Sequence, residues 1–319
     1  MKKIVVHAWG GPEELKMIEQ DTCEPGPGEV LVRMEAIGIN PVDTYLRSGE
    51  LTFLGLPFTP GFDGAGVVEA AGDGVRYFVP GQRVFTGLGH SGTYAEKVLC
   101  QADHVFPLPD ETGFEEGASL YLSYGTAYEA LFEAARITGT ETVLIHGATG
   151  GVGIAAVQMA VSAGCTVIAS AGSEEGRTML QEMGAALAVD HTSDEHYRAV
   201  MEFTSDRGVD LILEMNSGNL PRDVSVLAFK GTLIIIGGKE KPETVIPIAF
   251  TNNGFTLRGV NIGHLGGASR SAFIEYLIAG LRNGSLKPVI HKVFDLAHAP
   301  EAHRFLMNNR AMGKILLKP

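Results

Sequence analysis

The hydrophobic pattern changes character near Leu120. Before it, short apolar runs at residues 2–7, 15–19, 29–36, 64–70 and 94–99 alternate with turn-formers such as Glu24-Pro-Gly-Pro-Gly28 and Val79-Pro-Gly-Gln82. Many short strands at that spacing predict a compact barrel or sandwich. Residues 40–49 interrupt the series as a brief helix closed by a glycine. After Leu120, helical spacing at 125–135, 152–162, 174–183, 195–204 and 220–229 alternates with aliphatic runs at 142–146, 165–170, 186–190, 209–214, 232–236 and 255–260. Aliphatic strands separated by helices predict a parallel sheet covered on both faces, the doubly wound α/β arrangement. The last stretch, with a helix at 272–282, an extended run at 288–294, a helix after Pro300 and a strand at 313–317, lacks this alternation. It is expected to rejoin the first domain.

One stretch organises the second half. Thr142 to His146 is β-branched and apolar, Gly147, Gly150, Gly151 and Gly153 punctuate it, and Val152 to Ser162 resumes without a breaker. Strand, glycine turn and helix in this order suit a pyrophosphate, because the backbone can approach the phosphates while unpaired amides and the positive helix end face them. Ligands of such sheets lie beyond the carboxyl ends of the strands, so Gly172, His191, residues 214–219, Gly237 and Gly238 should rim one crevice. An NAD-type site places a carboxylate about 20 residues on, at the tip of the second strand. Here that tip reads Ala169-Ser-Ala-Gly-Ser173, which leaves room for a 2′-phosphate. Ser173, Arg177, His191 or Arg310 can supply its partners, whereas Glu174 and Glu175 suit the first turn of the next helix.

Composition narrows the classes. With 319 residues, 45% hydrophobic and 19% charged, the chain has room for a large core and two domains. A net charge of −12 disfavours nucleic-acid or anionic-membrane binding. Cys23, Cys100 and Cys165 are odd in number and far apart, which fits a reducing, cytoplasmic setting. No apolar run approaches the about 18 residues needed to span a bilayer.

Several segments carry a resemblance in register: Gly38-Ile-Asn-Pro-Val-Asp-Thr-Tyr-Leu-Arg-Ser-Gly49, Thr59-Pro-Gly-Phe-Asp-Gly-Ala-Gly-Val-Val68, His146-Gly-Ala-Thr-Gly-Gly-Val-Gly153, Ala171-Gly-Ser-Glu-Glu-Gly176 and Gly313-Lys-Ile-Leu-Leu317. The chain resembles, end to end, the zeta-crystallin or NADPH:quinone oxidoreductase branch of the medium-chain dehydrogenases/reductases. The resemblance implies a GroES-like β-barrel catalytic domain at 1–120, completed by 262–319, and a Rossmann domain at 121–261 that binds NADPH. It further implies a homodimer or tetramer joined along the 255–260 strand. Thr149, Gly150, Gly151 and Val152 match the pyrophosphate turn, and Gly172, Ser173 and His191 match the adenosine end. Thr126, Asn219, Gly237, Gly238, Asn261, Ile262 and Gly263 match the rest of the cofactor site, and Tyr45 matches a tyrosine that contacts the cofactor near its nicotinamide end. Arg310 matches an arginine that reaches the 2′-phosphate, and Arg177 stands beside Gly176, where some relatives carry a basic residue.

Zinc-dependent alcohol dehydrogenases of this fold have Cys and His where this chain has Asn40 and Phe62, and neither an amide nor a phenyl ring replaces those ligands. The reading is therefore zinc-free reduction of a quinone by hydride or electron transfer from NADPH, since an electron-poor acceptor needs alignment more than a Lewis acid. Tyr45 is the first candidate donor to the developing oxyanion, Asn40 the second, and Asp43 orients the loop or moves a proton. Reduction of an enone or alkenal double bond is the rival activity, and a non-catalytic NADPH-binding protein is the rival class.

Overall fold

The computed structural model describes residues 1–88, 92–193, 195–238, 247–309 and 311–319. Two compact units emerge: Met1–Leu122 with Pro288–Pro319, and Ser123–Lys287. Among the described residues no helix is long and apolar enough to cross a membrane.

The first unit is built on one long strand, Glu29–Ile39. Its alternate residues Val30, Val32, Ile37 and Ile39 are buried, and they meet Val68, Val84, Val98, Ile315 and Leu317 in one apolar core. The sheet runs Ile290–Asp295, Lys314–Lys318, Glu29–Ile39, Asp63–Ala71, Arg83–Thr86, Val105–Pro107, with Lys97–Gln101 also pairing to the long strand. Register shifts between Leu31 and Val32 and between Met34 and Ala36 bend this strand so that one end faces Lys97–Gln101 and the other Lys314–Lys318. Ile315 lies opposite Ile39 and Leu317 opposite Ile37, so the two ends of the chain share one sheet.

The second unit is a six-stranded, wholly parallel sheet in the order Leu187–Asp190, Thr166–Ala171, Thr142–Ile145, Val209–Glu214, Leu227–Ile235, Thr256–Gly259. Val143, Leu144, Ile145, Ile168, Ile212 and Leu213 are fully buried. Helices cover both faces, which is why these strands read as unbroken aliphatic runs. Helix Gly151–Ser162 is buried continuously from Gly153 to Ala160. The mixed α/β architecture, a doubly wound sheet in one unit and a β-rich sheet in the other, is the one the alternation predicted.

Three expectations change. Residues 262–287 cluster with the second unit: Phe273 packs on Tyr128 with ring centroids 5.5 Å apart, and Gln158 Nε2 donates to the Lys287 carbonyl at 2.8 Å. The helix expected over 220–229 is shorter. It comprises Leu220–Asp223 and a 3₁₀ turn to Val226, after which Leu227 pairs with Val209 as sheet. Lys230 at φ 63° puts an irregularity inside the strand Leu227–Ile235, whose beginning the sequence places at Thr232. The helix expected over 125–135 starts at Tyr121 and continues as a π-helix through Glu129–Ala134.

Candidate active site

In the second unit the parallel strands all end on one edge, and the sequence-predicted residues gather there. Gly150 is the N-cap of helix Gly151–Ser162 and supplies no side chain, so the first-turn amides of Gly151, Val152 and Gly153 have no intrahelical acceptor. Gly147 takes φ +53°, a left-handed turn that brings Thr149 and Gly150 in front of that helix end. At the next strand end Ser173 caps helix Glu174–Glu182, its Oγ accepting from the Gly176 amide at 3.1 Å. A Cβ on Gly176 would lie 2.9 Å from Thr149 Cγ2, so this helix is seated directly against the turn. The His191 amide donates to the Ala171 carbonyl at 3.3 Å, joining two strand ends beside Gly172.

On the far side of the switch, Asn219 Nδ2 donates to Glu214 Oε1 at 3.3 Å. A Cβ on Gly238 would meet Ser217 N at 2.4 Å, and one on Gly237 would meet the Met215 carbonyl at 3.2 Å, so the two strand-end loops touch through glycine. Asn261 Oδ1 accepts from the Gly263 amide at 2.8 Å. Ile262 is buried so close to Gly125 that a Cβ there would lie 2.4 Å from Ile262 Cδ1, which fixes the helix carrying Thr126 against the Asn261–Gly263 turn. Arg177 Nη1 pairs with Asp190 Oδ2 at 3.0 Å, so its charge is shared with a carboxylate of the second unit. Arg310 lies outside the described residues.

In the first unit, Asn40, Asp43 and Tyr45 stand on one short helix. Asn40 is the N-cap residue of Pro41–Ser48, its backbone amide donating to Asp43 Oδ2 at 2.8 Å, and Gly49 in the left-handed region ends the helix. Asp43 Oδ1 accepts from the Gly61 amide at 3.2 Å and Oδ2 from Tyr94 Oη at 3.3 Å. Burial pushes its carboxyl up to about 7. Tyr94 Oη also meets His303 Nε2 at 3.0 Å, and burial pushes that imidazole down to about 3, so it is neutral.

The Asn40 carboxamide is held at both ends. Oδ1 accepts from Lys314 Nζ at 2.6 Å, and Nδ2 donates to Asp63 Oδ2 at 3.0 Å. Lys314 Nζ lies 3.0 Å from the same carboxylate oxygen, and Asp63 Oδ1 accepts from the Leu122 amide at 2.9 Å. Asn40 and Asp43 are 1% and 0% exposed, whereas Tyr45 is half-buried, with burial raising its phenol. The geometry therefore sets Asn40 and Asp43 as a rigid support and leaves Tyr45 with the more accessible side chain of the three.

This arrangement does not fit a zinc ion. Zinc needs anionic or imidazole ligands, but Asn40 and Phe62 offer neither, and the Lys314 ammonium already neutralises Asp63 against the Asn40 amide. Among the described residues no gathering of His, Cys, Asp and Glu ligand atoms surrounds Asn40. Lys314, Asp63, Tyr94 and His303 were not singled out by the sequence reading, and neither was the pairing of His146 with Asp223, Nε2 to Oδ1 2.8 Å, beneath the glycine turn. For Asp63, Lys314 and His146 the available signal is a charged or imidazole residue at the end of an otherwise aliphatic strand; Tyr94, outside the strands, and His303, on helix Ala299–Asn308, carry no such signal.

Comparison with known proteins gives the family. Residues 151–279 match the zinc-binding dehydrogenase family and residues 26–110 the alcohol dehydrogenase GroES-like domain. The quinone oxidoreductase of Sus scrofa is 38% identical over 322 residues, covering 99% of this chain and 97% of its own. That of Pseudomonas aeruginosa is 32% identical, covering 100% and 99%. Among solved structures, the Escherichia coli quinone oxidoreductase complexed with NADPH superposes with a TM-score of 0.93 at 27% identity, covering 100% of both chains. The CurK enoyl reductase gives a TM-score of 0.90 at 26% identity, covering 99% and 98%. The chain belongs to the quinone oxidoreductase, or zeta-crystallin, branch of the medium-chain dehydrogenase/reductase superfamily, and it is an oxidoreductase.

Proposed function

We propose that the protein reduces quinones with NADPH and without zinc. The observation that carries this reading is the Lys314–Asp63–Asn40 cluster: a protein cation takes up the charge that a metal ion would need, in a chain whose full-length relatives are quinone oxidoreductases. Bound NADPH supplies a hydride or electrons from its nicotinamide. The residues of this chain bind and orient it. The amides of Gly151 and Val152 and the positive end of their helix would hold the pyrophosphate, and Thr126 with Asn261–Gly263 would hold the nicotinamide end. The carboxylate-free tip Ala171-Gly172-Ser173 accepts a 2′-phosphate, for which Ser173, His191, Arg177 and Arg310 are the proposed polar neighbours, with Asn219, Gly237 and Gly238 completing the cradle.

Hydride addition turns a quinone into a hydroquinone anion, and a proton from water completes the reduction. Tyr45 is the proposed donor to the developing oxyanion; Asn40 and Asp43 fix the helix that carries it. The edge strand Thr256–Gly259, exposed at each of its residues, is the proposed seam of a homodimer.

The likeness to an enoyl reductase supports a second reading, reduction of an enone double bond. NADPH oxidation measured side by side with 1,4-benzoquinone, 9,10-phenanthrenequinone and an alkenal separates the two. Turnover is expected with the quinones, and Tyr45→Phe should lower kcat about tenfold while leaving NADPH affinity nearly unchanged. Turnover of the alkenal alone would transfer the assignment to the second reading.

A further inference from the structure

Beneath the glycine turn lies a buried group of titratable side chains that hydride transfer does not use. His146, Glu214 and Asp223 are 3%, 0% and 0% exposed and come from the ends of two adjacent strands and the helix that follows. His146 Nε2 donates to Asp223 Oδ1 at 2.8 Å and lies 3.8 Å from Glu214 Oε2. Tyr197 Oη donates to Asp223 Oδ1 at 3.1 Å. Glu214 Oε1 accepts from the Asn216 amide and from Asn219 Nδ2.

Two atoms remain. Glu214 Oε2 and Asp223 Oδ2 are buried and receive no hydrogen bond from any amide, hydroxyl or imidazole among the described residues. A carboxylate oxygen of each nevertheless lies in one tight group with His146, these ligand atoms all within 4.8 Å of one another. Two carboxyls can bond only if one carries a proton, and that single proton satisfies both orphans at once.

The pair is wired to the cofactor turn. With its Nε2 proton on Asp223, neutral His146 presents Nδ1 as an acceptor to Ser170 Oγ at 3.5 Å, and Ser170 Oγ in turn accepts from the Gly147 amide at 3.2 Å. His191 Nδ1 also lies 3.5 Å from Ser170 Oγ. From helix His196–Phe203, His196 stacks on Tyr197 with ring centroids 4.0 Å apart and stands edge-on to His146, and Arg222 bears on Tyr197 from the helix Leu220–Asp223. Among the described residues, the donors to these two carboxyls are His146, Tyr197, Asn219 and the Asn216 amide. On the other arm, Asn219 and the Asn216 amide connect Glu214 to the loop that touches Gly237 and Gly238.

We propose that Glu214 and Asp223 share a proton that is linked to cofactor binding: docking of the anionic dinucleotide on the Gly147 turn draws a proton from solvent onto the pair, and loss of that proton loosens the cofactor. The inference rests on the dinucleotide reading of this turn. A polyanion placed over two carboxylates favours the form in which one of them is neutral. The direction follows from where the groups titrate. Burial pushes Glu214 up to about 8 and Asp223 up to about 6, while burial lowers His146. Both carboxyls are raised, so the protonated pair persists at neutral pH and is lost as pH rises through about 8.

Calorimetry of NADPH binding at about pH 8, in two buffers of different ionisation enthalpy, tests the linkage; the cofactor's own 2′-phosphate is then ionised and adds little. Wild type is expected to take up a fraction of a proton and to lose about fivefold in affinity from about pH 7 to 9, within the tenfold-per-unit ceiling of a single linked proton. Glu214→Gln mimics the protonated acid in shape and should bind with no buffer dependence and a flat pH profile. In the cofactor-free protein, the difference between the infrared carboxylic-acid bands of wild type and Glu214→Gln, in which the Asp43 acid cancels, should fade as pH rises through about 8. A buffer-independent enthalpy in a wild type that binds NADPH overturns the linkage alone. Heat with neither NADPH nor NADH overturns the cofactor reading and the linkage with it. A stoichiometric divalent ion in the purified protein, released by Asp223→Asn, would replace the shared proton and also overturn the proposal.

Discussion

Gly153→Val is expected to lower dinucleotide affinity by about ten- to a hundredfold while the first unit stays folded. A Cβ at this position would stand 2.5 Å from Ala148 Cα, 2.5 Å from the Gly147 carbonyl oxygen and 2.7 Å from the Ala148 carbonyl carbon. All three are backbone atoms of the turn, so relief cannot come from turning a side chain. The helix and the turn must separate, and the first-turn amides then leave the place where the pyrophosphate would sit. Overpacking of this kind costs about 1–3 kcal/mol, and about 1.4 kcal/mol corresponds to tenfold in affinity. Titration calorimetry with NADPH reads the outcome, and an affinity within about threefold of wild type would contradict the role given to the turn.

Lys314→Met is expected to destabilise the first unit by about 3–5 kcal/mol, the cost of leaving one member of a buried ion pair alone. Asp63 is fully buried, and after the change it keeps only the Leu122 amide and Asn40 Nδ2 as donors. Asn40 Oδ1 loses its 2.6 Å partner at the same time, so the cap of helix Pro41–Ser48 slackens and Tyr45 moves with it. Denaturant titration should show an early transition, and kcat should fall in the fraction that remains folded. A loss below about 1 kcal/mol with unchanged turnover would mean that Lys314 neither neutralises Asp63 nor positions the helix.

The second unit was largely legible because its signals are local. Aliphatic runs such as Val209–Glu214 bury every strand face, and glycines stand where turn and helix meet, so strand, turn and helix could be read in sequence. The short strands Arg83–Thr86 and Val105–Pro107 were not legible, since runs of 4 and 3 residues are too short to show alternation. The helix at 220–229 was overextended because Ala228 and Phe229 continue an apolar pattern whose sheet partner, Val209, is far away in sequence.

The same contrast holds for the site. Asn40-Pro-Val-Asp43 announces a capped helix locally, but its tie to Lys314 spans 274 residues and exists only after the last strand pairs beside Glu29–Ile39. Asn40 looked like a second donor to substrate; both ends of its amide are instead engaged inside the protein. His146 and Glu214 each terminate an aliphatic strand, which marks them as unusual, but nothing in the sequence pairs either with Asp223.

The most direct test of the central claim is the rate of NADPH-dependent reduction of 9,10-phenanthrenequinone by protein dialysed exhaustively against a chelator, with its metal content measured in the same sample. The account predicts an undiminished rate with far less than one zinc per chain. A rate that falls with the zinc and returns when zinc is added back would contradict it.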